Sequence, residues 1–200
     1  MTGWTDVPTL TGTGVVLEPL DPRHADDLRV AVTDGELWRA WYTNVPEPAG
    51  VDDVIAERQS LNSAGTWVSW ATRDVAADRA VGITSFLNLS PENRRLEIGG
   101  TWLAASAQGT GVNTEAKLLQ LTYAFEVLGC NVVEFRTHWH NRQSRAAIAA
   151  LGAKQDGVLR SHMIGRDGTL RDTVVFSILA IEWPTVRMAL TEKLARRAGR

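Results

Sequence analysis

Two glycines separated by one residue, Gly109 and Gly111, stand between a run that reads as a strand and one that reads as a helix. Residues without side chains let an anion approach the backbone, and the following helix offers unpaired N–H groups and a positive dipole end. That is how main chain holds a phosphate or pyrophosphate. A bare Gly-x-Gly also suits a strand-to-helix turn with no ligand at all. Two familiar nucleotide loops do not fit. A dinucleotide loop needs glycine at position 114, where Thr114 stands, and a Walker A loop needs Gly-Lys-Ser or Gly-Lys-Thr, which is absent.

Three further groups have chemical potential. Glu97 sits between Leu96 and Ile98, whose side chains point to the other face of a strand. Position alone suits an ordinary solvent-facing carboxylate. Asn141 caps a predicted helix and Ser144 occupies its first turn, where the helix terminus also favours a developing negative charge such as a thiolate. His138 and His140 share a face of the stretch Thr137-His138-Trp139-His140, but two histidines without a third ligand make a poor metal site, and no metal is expected. Cys130, the only cysteine, reads as a small packed residue.

The elements that must position these groups follow from periodicity and punctuation. Val15 to Leu20 is a short strand, and Asp21-Pro22 opens a helix running toward Thr33. Glu36 to Tyr42 is expected to form a second short helix, stopped by Pro46 and Pro48. A helical period then runs from Val51 to about Gly65. Thr66–Thr72, Ala80–Asn88 and Arg95–Leu103 are short strands with short connections, hence an antiparallel meander. A long helix is expected from Thr114 to Leu128, closed by Gly129, then a strand to His138 and a helix from Asn141 to Leu151. Two strands flank the turn Gly165-Arg166-Asp167-Gly168, Pro184 interrupts, and a basic helix spans Thr185 to Arg197. The fold class is α+β, one domain built on a mixed, mainly antiparallel sheet flanked by helices.

Bulk properties exclude several classes. The 200 residues carry a net charge of −2, with 44% apolar and 22% charged residues. Such a charge gives no electrostatic case for nucleic acid or an anionic membrane. One cysteine cannot make an intrachain disulfide framework, the N-terminus lacks a secretory pattern, and the apolar run near Val174–Ile181 is too short to span a bilayer. A cytoplasmic location is the default expectation.

The residues also carry a resemblance. Gln108-Gly109-Thr110-Gly111 at the head of the long helix resembles the acetyl-CoA pyrophosphate loop of the GCN5-related N-acetyltransferases, although Asn113 stands where that pattern has glycine or alanine. The stretch Gly111-Val112-Asn113-Thr114-Glu115-Ala116-Lys117, the run Leu96 to Leu103 and the segment Asn141-Arg142-Gln143-Ser144 are similar to the RimJ/RimL-type branch. So is the late stretch from Gly157-Val158-Leu159-Arg160 to Arg171-Asp172-Thr173. The resemblance covers roughly residues 10 to 183 in order. It divides the chain into an N-terminal arm at 1–12, an acetyltransferase domain at 13–183 and a basic helix or tail at 184–200.

What the resemblance implies is an acetyl-CoA-dependent N-acetyltransferase acting on a primary amine by direct attack in a ternary complex, without an acyl-enzyme on Cys130. In that reading the run Gln108-Gly109-Thr110-Gly111-Val112-Asn113-Thr114 binds the pyrophosphate. Trp102, Leu103 and Asn141 lie along the pantetheine arm, and Ser144 near the sulfur acts as acid. Glu97 is the base, directly or through water. The early segment lies over the acceptor, so Trp38, Trp41 and Tyr42, with Glu97, are substrate-binding candidates. The fold allows many acceptors: a protein N-terminus, a lysine or a small amine. Relatives often dimerise, so a homodimer is an expectation as well. Gly100, where relatives often carry an aromatic, suggests a roomier acceptor side. The rival readings are a non-catalytic acyl-CoA-binding module and an enzyme using a longer donor such as succinyl-CoA. The basic residues Arg187, Lys193, Arg196 and Arg197 read as a solvated face, with an acidic partner as the alternative.

Overall fold

The computed structural model describes residues 3–199. Eight strands form one sheet: β1 (Leu10–Thr11), β2 (Val15–Pro19), β3 (Trp67–Asp74), β4 (Arg79–Ser90), β5 (Arg95–Leu103), β6 (Val132–His138), β7 (Lys154–Ile164) and β8 (Leu170–Leu179). Their spatial order is β1-β2-β3-β4-β5-β6-β8-β7. All neighbours are antiparallel except β5 and β6, which run parallel because a helix returns the chain between them. The two residues of β1 pair with β2, so the segment before residue 13 joins the sheet edge.

Five α-helices cover the sheet: α1 (Ala25–Thr33), α2 (Val51–Ser63), α3 (Val112–Thr122), α4 (Arg142–Ala149) and α5 (Trp183–Ala198). Helix α1 packs on β4 and α2 on β3, while α3 packs on β2 and α5. The apolar side chains accordingly fall into two clusters. Leu28, Val32, Val51, Ile55 and Ile83 make the smaller one. Trp70, Phe86, Leu96, Leu121, Val133 and Ile178 anchor the larger. Each of these side chains is buried, and burial of a large apolar side chain contributes about 1.5–3 kcal/mol.

Local chemistry explains most boundaries. Asp21 accepts from the Arg23 N–H and Pro22 follows it, opening a 3-10 turn that leads into α1. The long helix starts two residues earlier than its sequence suggests, at Val112, and its last turn, Tyr123–Val127, widens to a π turn before Gly129. Two expectations need correction. The segment from Glu36 to Tyr42 is not a helix but a single 3-10 turn, Leu37–Arg39, because Glu36 is left-handed (φ 45°) and Ala40 is already extended. Pro184 does not interrupt: it lies in the first turn of α5, where its missing N–H has no helical partner to lose.

The feature that matters for function is a divergence. Strands β5 and β6 pair only at Arg95–Glu97 with Val132–Glu134. Beyond Glu97, β5 continues along β4, with a register irregularity between Ile83 and Ser85. The edge of β5 from Ile98 to Leu103 thereby loses its ladder partner on the β6 side, and a cleft opens between the two strands.

Candidate active site

The cleft has a volume of about 1130 Å³ and reaches from the glycine loop to the far end of β6. At one end, Gly109 and Gly111 are both left-handed, with φ of 73° and 117°, and Gly111 is the residue before α3. Only glycine takes such angles without strain. The first helical bond in α3 runs from Glu115 N–H to the Gly111 carbonyl, so the preceding N–H groups of the first turn have no helical acceptor. The loop is braced by side chains. Gln108 Nε2 donates to the Leu103 carbonyl at 2.9 Å, and its Oε1 accepts from Gln143 Nε2 of α4 at 2.7 Å. Arg197 of α5 donates to the Gly109 carbonyl.

At the second strand-to-helix junction, Asn141 Oδ1 accepts from the Ser144 N–H at 2.9 Å, a side-chain cap on α4. Both residues line the cleft, as do Trp102, Leu103, Gln108, Gly109 and Asn113. The side chain of Val112 instead turns into the core. Thr110, Gly111 and Thr114 do not line the cleft; Thr110 is exposed, with its hydroxyl bonded to the Ala107 carbonyl at 2.7 Å. Trp102 carries a buried Nε1–H with no partner, an orphan donor on the exposed edge of β5. N–H groups in the first turn of α3 without helical acceptors, of which Val112 N–H meets only Thr110 Oγ1 at 3.4 Å, an unpaired strand edge and an orphan indole donor together fit a long polar ligand carrying phosphates and amides.

Glu97 stands where β5 leaves β6. It is not a solvent-facing carboxylate: it is only 5% exposed. Burial pushes its carboxyl above the usual carboxylate range, opposed by a hydrogen bond from Asn88 and by the Arg136 charge. Asn88 Nδ2 donates to Oε2 at 2.8 Å, and Arg136 Nε lies 3.4 Å from the same oxygen. Both polar partners take Oε2, which leaves Oε1 as the oxygen free to take a proton.

The aromatic candidates divide. Tyr42 lines the cleft, but Trp38 packs against the smaller apolar cluster. Trp41 is half exposed outside the cleft, its ring edge-on to His138 at 5.0 Å. The short helix that was to align Trp38 with Trp41 does not form, so the two indoles face different surroundings. Gly100 departs from expectation in another way. It is left-handed (φ 56°), and a Cβ there would lie 2.9 Å from Trp67 Cζ3. The space is filled by Trp67 of β3, with the Arg58 guanidinium 3.8 Å over its ring. His138 donates no metal-binding pair with His140: its Nδ1 accepts the His140 N–H at 3.0 Å. Among the described residues no group of three His, Cys, Asp or Glu side chains is placed to hold a metal, and no helix is long and apolar enough to cross a membrane.

Several cleft residues escaped sequence reasoning. Arg58, Arg136 and Arg171 converge from α2, β6 and β8. Lys117 is buried in α3, its Nζ donating to Thr84 Oγ1 at 2.6 Å, Gln120 Oε1 at 2.7 Å and Thr101 Oγ1 at 3.1 Å. Burial lowers its pKa to about 7.

Residues 15–154 match the family described as acetyltransferase (GNAT) domain. The chain belongs to the GNAT acetyltransferase family. Relatives of this GNAT chain agree with that placement. A protein from Bacillus subtilis (strain 168), named "Putative ribosomal N-acetyltransferase YdaF", is 36% identical over 102 residues, 51% of this chain and 55% of that protein. The chain thus spans about half the length of the curated relative it matches. A GCN5-related N-acetyltransferase from Brucella melitensis superposes with a TM-score of 0.84 at 27% identity, covering 94% of this chain and 85% of that one. Mycobacterium smegmatis RimJ, solved with CoA-disulfide, gives 0.76 at 21% identity, covering 95% of each chain, a likeness of fold alone. Membership of the GNAT family supports acyl-CoA-dependent N-acetyltransferase activity.

Proposed function

We propose that this chain is an acetyl-CoA-dependent N-acetyltransferase of the RimJ/RimL type, transferring acetyl to a primary amine by direct attack. The observation that carries the proposal is Glu97: a buried carboxylate with one free oxygen, in one cleft with an unpaired helix terminus and an unpaired strand edge. Bound acetyl-CoA supplies an activated thioester. The main-chain N–H groups at the start of α3 hold its pyrophosphate, and the free edge of β5 pairs with its pantetheine amides. That RimJ was solved with a CoA compound supports placing the donor in this cleft.

A primary amine attacks only as its neutral form, so its proton must go somewhere. Glu97 Oε1 takes it, directly or through water, and Asn88 and Arg136 fix the carboxylate through Oε2. As the C–N bond forms and the C–S bond breaks, charge appears on sulfur. The capped N-terminus of α4 stabilises that charge and the Ser144 hydroxyl delivers the proton.

The test separates binding from chemistry. Glu97→Gln should bind acetyl-CoA by calorimetry as the parent does, while thiol release with a competent amine falls about a hundredfold or more. Unchanged turnover at neutral pH would remove Glu97 from the mechanism. No acetyl-CoA binding by the parent protein would remove the reading altogether.

A further inference from the structure

The charged groups lining the cleft do not balance. Of the carboxylates, Glu36 is paired with Arg39 at 2.9 Å, and Glu97 already has Arg136 beside it. Arg136 in turn binds Glu134 Oε2 at 2.9 Å. Lys117 lines the cleft as well, but its Nζ is already surrounded by three neutral oxygens. Arg58 and Arg171 remain. Both are half-buried, both line the cleft, and neither has an ion-pair partner among the described residues. The Nε–H of each is fully buried without a hydrogen-bond acceptor.

A guanidinium does not escape this cost by losing its proton, even where burial lowers its pKa, as it does for both. A partly desolvated cation without an ion-pair partner is costly, and a ligand that brings an anion to it offsets that cost. Their placement indicates which molecule does so. The Arg58 Nη2 lies 3.5 Å from where a Cβ on Gly100 would be, three residues beyond Glu97 on β5 and so about 10 Å along the strand. The Arg58 guanidinium carbon lies over the Trp67 ring, 3.8 Å from the centroid. Arg171 comes from β8, opposite Met163 of β7, and feels the Glu97 charge. Both cations line the cleft that holds the base, and neither belongs to the glycine loop.

We propose that the acceptor is an amine carrying its own anionic group, a carboxylate or a phosphate, which the unpaired guanidinium groups of Arg58 and Arg171 grip while its nitrogen faces Glu97. The planar fork of arginine matches both anions. The same two charges repel polyamines, so they select by exclusion as well as by attraction. The inference rests on the acetyltransferase reading for the role of the amine, but the anion site is testable without turnover.

Binding of L-glutamate, the dipeptide Glu-Ala, phosphoethanolamine, glycinamide and spermidine is measured by calorimetry on the CoA-saturated protein, with thiol release from acetyl-CoA followed in parallel. The anion-bearing amines should bind about tenfold or more tighter than glycinamide and spermidine. Carboxylate and phosphate arms tell the two anions apart. Arg171→Gln and Arg58→Gln should each weaken the preferred ligand about tenfold, and Arg171→Lys should recover part of the loss. Acetyl-CoA affinity should stay at the parental value, which also certifies that the variants are folded. Equal or tighter binding of glycinamide or spermidine overturns the inference, as does no binding by any anion-bearing amine. Weakened acetyl-CoA binding in either variant does so too, because the arginines would then serve the donor. If anion-bearing amines bind as expected but release no thiol, the anion site stands and the acetyltransferase reading falls.

Discussion

Lys117 makes stability depend on pH, which an exposed lysine with an unshifted pKa does not. Its side chain is 4% exposed, and burial lowers its pKa to about 7. In the unfolded chain it titrates near about 10.4. Between these values the unfolded state binds the extra proton and the folded state does not, so stability must rise with pH. From pH 7 to pH 8.5 the folded state loses the lysine proton that the unfolded state keeps, a gain on the order of 1–2 kcal/mol. Cys130 opposes it. Burial raises that thiol to about 12, whereas the unfolded thiol ionises near about 8.5, removing a smaller amount, well under about 1 kcal/mol, over the same interval. Urea denaturation at the two pH values should therefore show a net gain on the order of 1 kcal/mol. Lys117→Met keeps the length of the side chain and the Cys130 contribution but removes the lysine proton. Its stability should fall slightly over the interval instead of rising. Parallel pH dependences for the two proteins would show that the three oxygens around Nζ hold the ammonium charged and that burial does not dominate.

The proposed base has its own signature. Because burial raises Glu97, kcat/KM should fall with acid along a limb lying above the usual glutamate range, and Asn88→Ala, which deletes a bond favouring the charged form, should move that limb higher still. A limb that ignores Asn88 would assign the titration to another group. Gly111→Ala forces a side chain onto φ 117° and should cost about 1–3 kcal/mol of local strain, read as weaker acetyl-CoA binding by about tenfold. Unchanged affinity would place the donor elsewhere. Asn141→Ala removes the cap on α4 and should cost about 1 kcal/mol, a shift of about 2–4 °C in Tm, together with slower thiol release. A stability loss with undisturbed turnover would confine Asn141 to a structural role.

What could be read in advance was local. Asp21-Pro22, Gly129 and the Gly109/Gly111 pair announce element ends through backbone chemistry that their neighbours do not override. The meander was legible because its connections are too short for anything but antiparallel pairing. Asn141 declared its cap through residue type alone. Misreadings arose where tertiary contacts decide. Nothing in Glu36-Leu37-Trp38-Arg39 reveals that Glu36 adopts a left-handed conformation, and so the indoles of Trp38 and Trp41 part. Glu97 looked solvent-facing on its strand because the elements burying it, β4 and β6, are distant in sequence. Gly100 suggested empty space, but Trp67 arrives from another strand to fill it. Arg58 and Arg171 are 113 positions apart in the chain, and no local pattern could bring them together. Lys117 was the exception with a usable signal: with Gln120 it puts two polar residues at i and i+3 on the otherwise apolar inward face of α3, which a buried polar network explains.

The contact between Arg197 and the Gly109 carbonyl ties the order of the glycine loop to the terminal turns of α5. Helix ends open and close far faster than whole domains unfold. Each opening at Arg197 frees the Gly109 carbonyl and lets the loop sample conformations in which its N–H groups no longer converge. Occupancy of the loop and closure of the helix end are then linked equilibria, and on the proposed reading a pyrophosphate held at the loop should by reciprocity slow amide exchange in the last turns of α5.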